Sequence, residues 1–263
     1  MDLKLEGQKA LVCGASRGLG FACAQALLTE GADCCIASSS EEHIREAADR
    51  LAEVTGRQPT WAVADLTQAG DREALFRKAE QSLGQIDILL ANAGGPPPGP
   101  FESHPAEHWQ LAIDLALGMV THLCGLVLPG MRKRRHGRIV QIVSIAGLEA
   151  IDGLILSNAS RPAVLGFAHA LAREVGNDGV LVNSICPGIF LTDRIRELGR
   201  ERSRRQGISL EQYLDNLGGD IPLGRPGDPK EVGDLAAFLA SPRNSYMTGA
   251  ALVIDGGKTR RLL

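Results

Sequence analysis

Tyrosine is nearly absent from this chain: Tyr213 and Tyr246 are the only two among 263 residues. Any step that needs a phenol therefore has two candidates. An excess of charge of one sign is also missing. The formal net charge is -3 and the pI is near 6.1. No global basic field exists to attract nucleic acid or an anionic membrane, so neither is expected as a partner. No uninterrupted apolar run approaches the roughly 18 residues of a membrane span. The opening Met1-Asp2-Leu3-Lys4-Leu5-Glu6 puts charges where a secretory leader needs an apolar stretch. Cys13, Cys23, Cys34, Cys35, Cys124 and Cys186 form no CxxC pair and sit mostly in apolar segments. They are expected to be buried free thiols in a reducing cytoplasm. No His/Cys cluster has ligand spacing, so no metal is expected.

What is present is an alternation. Strand-length apolar runs fall at 9–13, 33–37, 61–64, 86–90, 138–143, 180–185 and 251–254, with helical patterns between them. Helices are predicted from the glycine loop to about 30, and over 41–55, 72–83, 105–134 and 161–175. A break is expected near Pro129. This pattern predicts an α/β fold, a Rossmann-type doubly wound parallel sheet of about seven strands in three α/β/α layers. No repeat, linker or composition break divides the chain, so 1–263 is expected to be one domain. The polar, arginine-rich segment 194–220 stands apart. It follows the sixth strand and would overhang the carboxyl ends of the strands, where ligands bind in such sheets. It is expected to be a substrate lid.

The first strand runs into Cys13-Gly14-Ala15-Ser16-Arg17-Gly18-Leu19-Gly20, and a helix follows. A tight turn after a strand needs residues without a Cβ, and backbone must approach a pyrophosphate closely. The helix then offers free N–H groups and a positive dipole end to the phosphates. A dinucleotide site is expected at Gly14, Ser16, Arg17, Gly18, Leu19 and Gly20. At the end of the second strand, Ser38 and Ser39 stand where an NAD site usually has a carboxylate for the ribose hydroxyls. Those hydroxyls and the Arg17 guanidinium suit a 2′-phosphate. NADP(H) is therefore favoured, and NAD(H) is the alternative cofactor.

The G-x-x-x-G-x-G spacing resembles the short-chain dehydrogenase/reductase family, and further stations agree in order along nearly the whole chain. Asp65-Leu66 looks like the family's adenine-contacting pair, and Asn92-Ala93-Gly94 like its NAG motif. Ser144 follows the fifth strand as the active-site serine does. Pro187-Gly188-Ile189 and Thr192 look like the PG motif and the nicotinamide-contacting threonine. The resemblance implies a nicotinamide-dependent oxidoreductase acting on a small carbonyl or alcohol, 3-oxoacyl reductases among its relatives, assembled as a homo-oligomer (dimer or tetramer).

The same resemblance exposes a departure. The family carries a tyrosine thirteen positions after the serine and a lysine four further on; here those positions hold Ser157 and Arg161. The family's long-helix asparagine station holds Asp114. Ser144, Ser157, Arg161 and Asp114 are thus the catalytic candidates. An alkyl hydroxyl is a far weaker acid than a phenol, which titrates near 10. Arginine stays charged and cannot relay a proton, yet it can fork hydrogen bonds to ribose hydroxyls. Pro162 is expected to start the following helix near 161 or to kink it. Replacement proton donors are Glu149, Asp152, Asp114 and Tyr213, while His104 and His108 are expected at the surface. Three readings stay open: an NADP(H)-dependent oxidoreductase with a changed proton route, a cofactor-binding sensor or assembly partner without turnover, and non-redox chemistry like that of the family's halohydrin dehalogenase relatives. Those relatives have arginine at the lysine station.

Overall fold

The structure is a computed structural model that describes residues 2–260, apart from the side chains of Arg194, Leu198, Glu201, Arg202 and Arg205. Seven strands form one parallel sheet: β1 (Lys9–Cys13), β2 (Asp33–Ser38), β3 (Thr60–Val63), β4 (Ile88–Ala91), β5 (Gly137–Ile142), β6 (Val180–Pro187) and β7 (Ala251–Ile254). Their spatial order is β3-β2-β1-β4-β5-β6-β7. The order reverses between β1 and β4, and that switch point opens a crevice at the carboxyl ends of the strands.

Alternate residues of each strand feed opposite faces. In β1, Leu11 and Cys13 join one core, and Ala10 and Val12 the other. The first core is covered by α3 (Ala69–Leu83), α5 (Met119–Arg134) and α6 (Ile155–Val175), with the short α4 (Ala106–Ile113) leading into α5. The second lies under α1 (Gly18–Thr29), α2 (Glu41–Thr55) and α9 (Pro229–Ala240). The remaining helices, α7 (Asp193–Gln206) and α8 (Leu210–Asn216), follow β6 and make up most of the segment 194–220. Helices α1 and α9 touch backbone to backbone, because a Cβ on Gly233 would stand 2.5 Å from the Ala22 carbonyl oxygen. All six cysteines are buried, and none is in a disulfide.

Two helix expectations fail. Pro129 lies inside α5 without ending it. The irregularity is instead a π turn at Asp114–Gly118 between α4 and α5. Pro162 likewise lies inside α6, which begins at Ile155 rather than near 161. Both prolines are exposed, so water reaches the ring side of each helix. The opposite face of α6 buries Leu156, Ser160, Arg161 and Val164. Packing of that face outweighs the local penalty of one lost hydrogen bond. The helical stretch Ala106–Arg134 is, by length and composition, apolar enough to cross a membrane. In the fold its inner side packs Met119, Leu123, Val127 and Met131 into the first core.

Candidate active site

The glycine loop is held by contacts that only glycine permits. Gly14 has φ +59°, and a Cβ there would stand 2.7 Å from both the side-chain nitrogen and the carbonyl oxygen of Asn92. Asn92 Nδ2 donates to the Gly14 carbonyl at 3.1 Å, which ties the end of β4 to the loop. A Cβ on Gly20 would overlap the Gly14 carbonyl oxygen and stand 2.7 Å from Asn92 Nδ2. The first turn of α1 has no side-chain cap and no acidic residue. Its leading N–H groups therefore face the crevice unpaired by side chains, with the positive end of the helix dipole behind them. This is a fit for a pyrophosphate.

A cavity of about 360 Å³ lies over this turn, lined in part by Gly14, Ser16, Arg17, Gly18 and Leu19. Ser38 and Ser39 close its β2 end, Asp65 and Leu66 its β3 end, and Asn92 and Gly94 its β4 end. The serine run divides its labour. Ser40 caps α2 by accepting from the His43 N–H, and the buried Ser38 donates its O–H to the Ser40 carbonyl at 3.1 Å, so Ser38 can offer the cavity only its acceptor side while Ser39 lines it as well. Asp65 Oδ1 accepts from the Thr67 N–H at 2.9 Å, so the carboxylate also shapes its own turn. Arg17 reaches across to Glu197 of α7 at 3.1 Å, with both side chains about half exposed.

A second cavity of about 560 Å³ continues from the first. Leu19, Asn92 and Thr192 line both. Pro187, Gly188 and Ile189 form one wall of it, and Ser144, Ser157 and Arg161 another. Gly188 is required, since a Cβ there would stand 2.7 Å from the Asp255 Cβ. Ser144 Oγ accepts from the Ala146 N–H at 3.0 Å, so its own O–H remains to donate into the cavity. Ser157 and Arg161 lie four apart on continuous α6 and share a face. Burial holds the Arg161 guanidinium down to about 10, against a slight opposing influence from Cys186. It is still a cation at neutral pH.

The structure sorts the candidate proton donors. Tyr213 of α8 is buried and lines the second cavity, as does Asp152. Glu149 faces the Arg260 N–H. Asp114 accepts from Gln110 Nε2 at 3.0 Å and lines neither cavity. His104 is buried rather than at the surface. Its Nδ1 lies 3.3 Å from His108 Nδ1, because the ring tucks under the turn at Gly99. Two contributors escaped sequence reasoning. Lys258 lines the second cavity from beyond β7. Asn158 clasps Ile151 through both backbone groups, at 3.1 and 2.9 Å, fixing the loop between β5 and α6. The sequence offered no signal for either, since a lysine near a terminus and an asparagine in a polar run are ordinary. Among the described residues, no cluster of three or more His, Cys, Asp or Glu side chains is placed to hold a metal.

A family model described as enoyl-(acyl carrier protein) reductase matches residues 14–259. The chain belongs to the short-chain dehydrogenase/reductase family. Among curated relatives, the 3-oxoacyl-[acyl-carrier-protein] reductase FabG of Chlamydia muridarum is 35% identical over 98% of this chain and 99% of its own length. The oxidoreductase UcpA of Salmonella typhimurium is 37% identical over 97% and 96%. Among solved structures, L-sorbose reductase from Gluconobacter frateurii, complexed with NADPH and L-sorbose, superposes with a TM-score of 0.96. It is 29% identical, with both chains covered in full.

Proposed function

We propose that this family member is an NADP(H)-dependent oxidoreductase that interconverts a small carbonyl compound and its alcohol by a modified proton route. One observation carries the reading: a glycine-loop cavity with an uncapped helix N-terminus opens directly into a second cavity holding Ser144, with Thr192 lining both. The NADPH-bound sorbose reductase and the FabG relative support the cofactor and the carbonyl substrate class. Arg17, Ser38 and Ser39 hold the 2′-phosphate, Asp65 and Leu66 the adenine, and Asn92, Gly94, Pro187, Gly188, Ile189 and Thr192 the nicotinamide half. When bound, the nicotinamide supplies or accepts the hydride at the carbonyl carbon.

Ser144 orients the carbonyl by donating its O–H. Ser157 and Arg161 stand at the family's tyrosine and lysine stations, so the proton comes from elsewhere. Tyr213 is the donor this reading prefers, since it is the one phenol in the wall of the substrate cavity. Tyr246, by contrast, is 98% exposed. Helices α7 and α8 act as the substrate lid of a single-domain protein. The buried thiols fit a cytoplasmic setting. The outer face of Ala106–Arg134, where Ile113 is exposed, fits a homo-oligomer interface.

The test is NADPH oxidation over a panel of ketones, quinones and β-ketoacyl thioesters. Turnover that is lost in Ser144→Ala is expected; no oxidation above background with any substrate refutes the reading. Ser157 at the tyrosine station favours a second reading, a cofactor-binding sensor with little turnover. The double variant Ser157→Tyr/Arg161→Lys separates the two: wild-type turnover comparable with the double variant rules the sensor out.

A further inference from the structure

Arg161 is 8% exposed and lines the second cavity. Its Nη1 reaches the Ile142 carbonyl at a long 3.4 Å, and its Nε is buried without a hydrogen-bond partner. Among the described residues no carboxylate forms an ion pair with it. A buried charge without an ion-pair partner is destabilising in general, and a guanidinium carries five donors in a planar fork. Arg138 shares the burial and an unpartnered Nε, but it lines neither cavity. Arg161 is thus a desolvated cation aimed at the space where substrate sits. Ribose hydroxyls would offer it acceptors but no countercharge.

We infer that Arg161 binds the carboxylate of an oxo-acid substrate, with Ser144 holding the carbonyl of the same molecule. The placement is short-range. Arg161 touches the carbonyl of Ile142, and Ser144 follows two residues later, about 7 Å along an extended chain. Both side chains line the same cavity. The planar fork matches a carboxylate bidentately. Lys258 adds a second cation to the cavity. The inference rests on the reductase reading only in taking the acid's carbonyl as the group reduced; the anion site itself is testable without turnover.

The experiment compares acetoacetate with its methyl ester, which differ in charge and share the ketone. Binding to protein saturated with NADP⁺ is measured by calorimetry, after NADP⁺ affinity has been measured alone. Acetoacetate is expected to bind at least tenfold more tightly than the ester. Arg161→Met should erase that preference while changing NADP⁺ affinity less than threefold. Equal binding of acid and ester by the wild type overturns the inference. So does an intact preference in Arg161→Met, or a loss confined to NADP⁺ affinity, which would give Arg161 to the ribose. If NADP⁺ fails to bind the wild type, the reductase reading falls and the anion site is judged on the free protein. Acetate should then raise the melting temperature of the wild type and leave Arg161→Met unmoved; equal shifts overturn the site. Should Arg161→Met not fold, Arg161→Lys replaces it, with a smaller acid preference expected and an unchanged one counting against the site.

Discussion

On the proposed reading Arg17 selects the cofactor, and its replacement by alanine gives a graded, refutable result. A charge-assisted hydrogen bond from a guanidinium to a phosphate contributes about 1.5–3 kcal/mol. Arg17 is already engaged, however, with Glu197 at 3.1 Å. Both side chains are about half exposed, and such a pair is worth up to about 1 kcal/mol. Binding the 2′-phosphate requires giving up or sharing that pair. The net contribution is therefore about 1–2 kcal/mol, so Arg17→Ala should weaken NADPH binding by roughly 5- to 30-fold. NADH has no 2′-phosphate and should change by less than about twofold. Glu197→Gln removes the competitor and should tighten NADPH by up to about fivefold. The assay is a fluorescence titration with each reduced nucleotide at about 50 and about 300 mM salt, where the NADPH advantage should shrink with screening. Equal losses for the two nucleotides in Arg17→Ala would show that the guanidinium does not read the phosphate. An NADPH affinity that falls in Glu197→Gln would show that the ion pair supports the site instead of competing with it.

Other consequences are open to measurement. Gly20→Ala suits a helix by propensity, yet its methyl would overlap the Gly14 carbonyl oxygen; nucleotide affinity should fall at least tenfold with the fold retained by circular dichroism, and unchanged affinity would disprove the close approach. Asn158→Leu orphans the Ile151 N–H and leaves the Ile151 carbonyl with the Leu154 N–H alone, at a cost of about 1–3 kcal/mol; the melting temperature should drop by several degrees, and no drop would show that the clasp carries no stability. Burial pushes the thiols of Cys13, Cys23 and Cys124 up to about 12. Unfolded thiols ionise from about 9, so the stability these groups contribute is full below pH 9 and is lost progressively as pH rises from about 9 to about 12. Melts from pH 7 to pH 11 should decline above 9, and a thiol reagent at pH 8 should label none of the three before unfolding. Prompt labelling of the native protein would refute their burial.

The order of apolar runs, the three spaced glycines and the motif stations were legible because each is a local demand on residue type. Strands need β-length apolar stretches, and a phosphate loop needs missing Cβ atoms. Helix ends near Pro129 and Pro162 were misjudged because proline's cost is local while the gain from a buried opposite face is not. His104 was misplaced for the same reason: its burial depends on a turn at Gly99 that no spacing announces. Which acids meet the substrate cavity was likewise beyond the sequence. Glu149 and Asp152 are three residues apart in one loop, yet Asp152 alone of the two lines the cavity. The sequence by itself determined the sheet, the glycine loop and the family, because these are written in residue identity and short spacing. Only the tertiary structure decided that Arg161 is buried with no ion-paired carboxylate among the described residues and that Tyr213 and Lys258 share its cavity. Burial and pairing depend on atoms contributed by α6, α8, β6 and the C-terminal turn, elements that lie far apart along the chain and meet only when the sheet is assembled.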